Sequence, residues 1–441
     1  MQQRQAPKRV ATAVLNSLKG GVVPRVGLEW VTVGRKDEIY ALLADTDVIA
    51  EGGASFRFIV GRYGAGKSFL LQTIRNYCLD RDFVVLDCDL SPERRFSGGK
   101  GQGVATYKEL VRNMSTKLKP EGGALALILE RWLSGIQTQT VAQGIEPGSE
   151  AFRQGVKRQI FSVVGEMQTM VNGFDFGIAL SYYYNAWQDG DDEGKADVLR
   201  WLRGEFTTKT EAKRAIGVNI IVHDENWYDF LKLYSAFLVQ AGYRGMLLLI
   251  DELVNIYRLP NRVTRQYNYE KILMMYNDTL QGKAQHMGII MGSTPQALED
   301  QERGIYSYDA LRSRLTEGRF AKAGTRDLLA PVIRLDPLSY EELYVLTEKL
   351  ASLHAGLYGY ESHLTGEEIV GFLKVEFERI GADTHITPRE VIRDFIELLN
   401  ITMQNPGKTI TDILTEGGFA FTAATLENTS DIQSAFAEFE I

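Results

Sequence analysis

Eight consecutive residues, Gly61-Arg62-Tyr63-Gly64-Ala65-Gly66-Lys67-Ser68, have the types and the spacing for phosphate chemistry. They fit the pattern G-x-x-x-x-G-K-[ST] of a P-loop. Glycines at these positions let backbone N–H groups close around phosphate oxygens with no Cβ in the way. A helix starting at Lys67 adds unpaired N–H donors and a partial positive charge. Lys67 is then expected to reach the β- and γ-phosphates of a nucleotide, and Ser68 to ligate Mg²⁺. The elements that must position the loop are also legible. Phe56, Phe58, Ile59 and Val60 read as a short buried strand entering it, and Phe69 to Tyr77 as a helix leaving it.

A second site of chemistry lies far along the chain. Met246 to Ile250 is a continuous apolar run, as in a strand buried on both faces, and it ends in Asp251-Glu252. This is a Walker B pattern. Asp251 is expected to hold Mg²⁺ and Glu252 to activate or position water for hydrolysis. A further buried strand, His286 to Gly292, ends at Ser293-Thr294-Pro295. The interval between Lys67 and Asp251 is longer than a plain doubly wound sheet needs, so the helical stretch of about 104–240 is expected to be an insertion.

The remaining organisation follows from periodicity. Residues 1–55 read as a helical lead-in, and 56–338 as an α/β core with parallel strands sandwiched by helices. Residues 339–403 read as an all-α lid domain and 404–441 as a less regular tail ending in Phe436 and Phe439. Within the insertion, Trp227, Phe230, Leu231, Tyr234, Phe237, Leu238 and Ala241 form one unbroken apolar helix face, with Asp224 as a candidate cap and Gly242 as the stop. The segment Ser91 to Gly103 has no periodic pattern and carries Arg94, Arg95 and Lys100. It leaves the carboxyl end of a strand, the edge where open α/β sheets bind ligands. It reads as a flexible basic loop for nucleotide, nucleic acid or a partner, or as a solvated connection.

Composition narrows the class. The net charge is −8, so double-stranded DNA would have to be met by local basic loops on an acidic body. Cys78 and Cys88 are the only cysteines, which excludes a disulfide framework. The five histidines lack metal-ligand spacing. With no signal-peptide pattern and no apolar run of spanning length, a cytoplasmic protein without membrane contact is expected.

Taken together these motifs resemble the AAA+ ATPases, in scattered matches over about 30–400. The resemblance implies that Val33-Gly34-Arg35 with Glu38 lies by the adenine, and that Gly34, Arg35 and the loop from Gly61 to Phe69 bind ATP. It implies that Ser293 or Thr294 orients the attacking water. The run Asp309-Ala310-Leu311-Arg312-Ser313-Arg314-Leu315 is similar to the segment carrying an arginine finger, with Arg314 the best match and Arg312 and Arg319 behind it. A finger implies a self-oligomer. Thr387-Pro388-Arg389-Glu390 opens a lid helix, and Arg389 is similar to the sensor 2 arginine. The long insertion and the lack of the common Asn at sensor 1 are departures. Gly20-Gly21-Val22-Val23-Pro24-Arg25, GRYGAGKSFLLQ, DLSPERRFSG and the helix-rich middle also resemble the BrxD family, ATP-binding proteins of BREX-type phage-defence operons. That resemblance implies a defence ATPase acting beside a large helicase or other proteins of the operon. Function then reads as ATP–Mg²⁺ hydrolysis that drives or gates a conformational change. The alternatives are a nucleotide-gated DNA- or protein-binding switch and, more remotely, a phosphotransferase.

Overall fold

The computed structural model describes residues 5–316, 318, 326–380 and 387–417. The chain begins with α1 (Lys8–Lys19), α2 (Lys36–Ala50), β1 (Ala54–Val60), α3 (Lys67–Asp80) and β2 (Val84–Asp89). A helical stretch follows: α4 (Gln102–Arg112), α5 (Leu125–Ala142), α6 (Glu150–Met167), α7 (Gly173–Asp189), α8 (Asp192–Leu202), α9 (Lys209–Ile216) and α10 (Trp227–Gln240). Then come β3 (Met246–Asp251), α11 (Val254–Tyr257), α12 (Arg262–Leu280), β4 (Met287–Ser293), α13 (Pro295–Glu299), α14 (Asp309–Leu315) and β5 (Val332–Arg334). The last elements are α15 (Tyr340–Tyr358), α16 (Gly366–Ile380), α17 (Pro388–Gln404) and α18 (Ile410–Glu416).

The elements gather into two compact units with separate cores. One holds the residues up to Lys36, Gly61–Thr73 and those from Leu335 onward; the other holds Asp37–Val60 and Ile74–Arg334. The larger unit is mixed α/β, compatible with a P-loop NTPase. Its five strands are all parallel, in the order β2-β3-β4-β1-β5. β3 and β4 are buried at every residue, which explains their unbroken apolar runs. Helices flank the sheet, among them α4 against β2 and α12 against β1. Because the strands are parallel, Val60, Asp89, Asp251 and Ser293 end on one edge. Val60 pairs beside Ser293, and Asp89 beside Asp251.

The face predicted for α10 is buried, and around it an aromatic cluster forms. Trp132 meets Phe237 edge-on at 5.2 Å, Phe176 meets Tyr234 at 5.6 Å, and Trp201 meets Phe230 at 5.4 Å. Asp224 does not cap α10; its carboxylate accepts from Gly101 N and Val104 N and so closes the start of α4. Its two oxygens are taken up by those N–H groups, while Asn226 turns back to accept from His223 N.

The smaller unit is helical. Val14, Leu15 and Leu18 of α1 are buried with Leu343, Leu346 and Leu350 of α15 and with Val391, Phe395 and Leu399 of α17. α15 opens with a capping box, Ser339 accepting from Glu342 N while the Glu342 carboxylate accepts from Ser339 N. Within the stretch past 404, read as less regular, Ile410–Glu416 forms α18 with a similar box at Thr409 and Asp412. Among the described residues no helix is long and apolar enough to cross a membrane.

Candidate functional site

The smaller unit brings together most of the residues expected to bind nucleotide. The loop Gly61–Ser68 turns at Gly64 (φ 81°) and Gly66 (φ 88°), left-handed values that glycine adopts without strain. A Cβ on Gly66 would meet no atom within 4 Å, so the loop is open there. Lys67 is half-buried and its Nζ donates to the carbonyls of Gly61 and Arg62, 2.9 Å each. Ser68, Arg62 and Tyr63 are exposed, and Phe69 packs against the helical core.

Two segments, around Arg35 and around Thr387, close on this loop within the same unit. Arg35, itself left-handed at φ 59°, donates from Nη2 to Ala65 O at 3.3 Å and to Asp336 O at 2.6 Å. Gly34 beside it lies so close to Glu342 that a Cβ would collide with that carboxylate. Thr387 lies against Gly64, where an added Cβ would come within 2.8 Å of the threonine Cβ. Next to it, the Arg389 guanidinium sits 5.1 Å from the centre of the Tyr63 ring. Thr387 was not singled out as a contact from sequence. Its signal was present, because the Glu390 carboxylate takes both its N–H (3.2 Å) and its hydroxyl (2.8 Å), the capping pattern that aims this helix start.

In the larger unit a second constellation stands at the carboxyl edge of the sheet. Asp251 is buried at 8% exposure, and its Oδ1 accepts from Glu252 N at 2.8 Å. Glu252 has φ 62°, a left-handed backbone uncommon for a glutamate, which turns its side chain out of the strand alternation. Gly292 on β4 leaves the room Asp251 occupies: a Cβ there would collide with the carboxylate. Ser293 is buried and its hydroxyl donates to Thr294 O at 3.2 Å. The Thr294 hydroxyl instead accepts from Ala297 N at 3.2 Å, capping α13. The two residues that sequence left equivalent thus differ: Ser293 ends the strand beside Val60, and Thr294 starts a helix.

Asp89 is a third acid here that sequence reasoning passed over. Its carboxyl is pushed up to about 6, first by burial and then by the negative charges of Asp251, Glu252 and Asp87. The available signal was its place at the end of β2, paired with Asp251. Among the described residues no group of three or more His, Cys, Asp or Glu is placed to hold a metal by itself. Mg²⁺ is held by one or two protein carboxylates together with phosphate oxygens. Asp251, in the space left by Gly292, fits that role.

The basic segment after β2 is held in place. Asn268 accepts from Phe96 N and Ser97 N, Trp227 Nε1 donates to Phe96 O at 3.1 Å, and the Phe96 ring stacks on Trp227. Of its cations, Arg94 donates to Asp89 O at 3.1 Å and Arg95 is half-buried, whereas Lys100 is exposed. Side chains from distant elements bind the backbone of this segment at Phe96, Ser97, Gly101 and Val104. Arg314 is exposed on α14 and donates to Ala310 O at 2.7 Å, and Arg312 pairs with Asp309 at 2.7 Å. Arg319 and the tail phenylalanines Phe436 and Phe439 lie outside the described residues.

No curated protein is significantly similar to the chain. A family model, however, matches residues 6–417, taking in the loop at Gly61, Asp251-Glu252 and the helices that follow. The chain belongs to the family described as BREX system ATP-binding protein BrxC/D, which supports an ATP-binding role in phage defence.

Proposed function

We propose that this protein is an AAA+-type ATPase that binds and hydrolyses ATP–Mg²⁺ to drive or gate a conformational change in a BREX-like defence system. The observation that supports it most is the convergence, inside one unit, of Arg35, Thr387 and Arg389 on the loop Gly61–Ser68. In this reading Lys67 moves from the carbonyls of Gly61 and Arg62 to phosphate oxygens. Ser68 and Asp251 serve the metal, Glu252 activates water and Ser293 positions it. Arg389 acts on the nucleotide of its own subunit, Arg314 on that of a neighbour in a self-oligomer. Mg²⁺ supplies charge neutralisation at the transferred phosphoryl group. The strand order, with β4 between β1 and β3, also suits this class.

Double-stranded DNA and a helicase or another defence-operon protein are the proposed partners, with Arg94, Arg95 and Lys100 as the DNA-facing set. The test is ATP binding and steady-state hydrolysis with three proteins. Glu252→Gln should keep ATP affinity and lose turnover, and Lys67→Ala should lose affinity. Equal turnover in Glu252→Gln and wild type would sink the hydrolytic assignment and leave a nucleotide-gated switch.

A further inference from the structure

Tyr63 is an aromatic residue inside the glycine-rich loop, and it is 69% exposed. The guanidinium carbon of Arg389 lies 5.1 Å from its ring centre, within the roughly 6 Å reach of a cation–π contact. Arg389 follows Pro388 in the first turn of α17. A helix N-terminus carries partial positive charge and disfavours a cation. Among the described residues Arg389 makes no ion pair to offset this; its partner is the Tyr63 ring.

The arginine is also held from behind. Thr387 and Glu390 cap the start of its helix, and Val391 and Phe395 share one core with Leu15 and Leu18 of α1. α1 ends in the Gly20-Gly21 turn, where Gly21 N donates to Leu18 O at 2.9 Å. A Cβ on Gly21 would lie 3.8 Å from Arg389 Cδ, so the arginine stem runs past the end of α1 before its head meets the loop. This gives the glycine pair at 20–21 a place in the same constellation.

We propose that Tyr63 is a positioning residue, whose ring face holds the Arg389 guanidinium beside the loop Gly61–Ser68 for the phosphates of a bound nucleotide. The proposal rests on the ATP-binding reading above. A ring face attracts a cation without cancelling its charge, whereas a carboxylate partner would compete with the phosphate. A guanidinium already held in place also loses less side-chain freedom when the nucleotide arrives.

The experiment is calorimetric titration of the full chain with ATP. It compares wild type, Tyr63→Ala, Tyr63→Phe, Arg389→Ala, the double variant Tyr63→Ala/Arg389→Ala, and Lys67→Ala. Tyr63→Ala should weaken binding about two- to fivefold, the equivalent of an exposed cation–π contact, with an unchanged melting temperature. Tyr63→Phe keeps the ring face and should bind as wild type does. In the Arg389→Ala background the Tyr63→Ala change should have no further effect, because the contact is already gone. An equal loss in both backgrounds overturns the proposal and makes the ring a direct nucleotide contact. Tighter binding in Tyr63→Ala overturns it as well, since the ring would then hold the arginine away from the phosphates. So does a Tyr63→Phe as weak as Tyr63→Ala, which would assign the effect to the hydroxyl. Binding that is lost in Lys67→Ala and untouched in Arg389→Ala keeps the loop as the nucleotide site and overturns this proposal alone. No binding in wild type removes both.

Discussion

At Asp251 the decisive neighbour is a residue with no side chain. Gly292 on the adjacent strand leaves the space the carboxylate fills, and its backbone does not need a glycine-only conformation. The constraint is therefore purely one of volume. Gly292→Ala should push Asp251 aside and cost about 1–3 kcal/mol, the usual penalty for an extra methyl in a packed site. Two readings check it: a lower melting temperature, and a loss of Mg²⁺-dependent ATP affinity larger than the loss without Mg²⁺. An unchanged metal dependence would mean that Asp251 does not serve the ion. The same region shows what one side chain can conceal. Cys88 and Cys78 are buried thiols pushed up to about 12, chiefly by desolvation, and such groups are inert structural cysteines and not reactive ones.

Among the elements, α15 combines a strong start with a buried titratable group. Its capping box satisfies N–H groups that would otherwise be orphaned, and Ser339→Ala should cost about 1 kcal/mol. Chemical denaturation monitored by helix content would register it, and a change below a few tenths would mean that solvent replaces the cap. Further along, His354 is 1% exposed, with Tyr360 OH at 2.8 Å from Nδ1 and Asn400 Oδ1 at 3.4 Å from Nε2. Desolvation holds its pKa below the ordinary histidine value, so the folded state binds the proton less tightly than the unfolded chain does. Stability is then fully present above the unfolded value of 6.5 and falls as the pH drops below it toward the lowered folded value. Melting temperatures across that range should decline with acid in wild type and decline less in His354→Gln. Parallel curves for the two would remove His354 as the cause.

For the whole molecule, the finger role proposed for Arg314 would make turnover a property of an assembly. A trans arginine is worth about 10³–10⁵ in rate where its contribution is known. Specific activity should rise with protein concentration and collapse in Arg314→Ala, while ATP affinity stays. Activity that is independent of both would mean that each chain hydrolyses alone, and activity that rises with concentration but survives in Arg314→Ala would pass the role to Arg312 or another arginine. DNA belongs to this scale as well. An acidic protein with few exposed cations in the Ser91–Gly103 segment should bind duplex weakly and with steep salt dependence.

What the sequence by itself determined is what neighbouring residues decide among themselves. The glycine-rich loop, the strand entering it and the helix leaving it lie within about two dozen residues, and their types dictate their backbone. The apolar runs of β3 and β4 announced strands buried on both faces, and the period of α10 announced its buried face. Tertiary structure alone decided which distant parts meet. The apolar stripe of α1 states that something covers it, and only the fold shows that α15 and α17 do so. The same is true of Thr387 against Gly64, of Asp89 beside Asp251, and of the side chains that pin the segment after β2. The reason is physical. Periodicity and propensity report the environment a residue requires, apolar or polar, crowded or open. Many partners satisfy such a requirement equally well, and only the closing of the chain selects one of them.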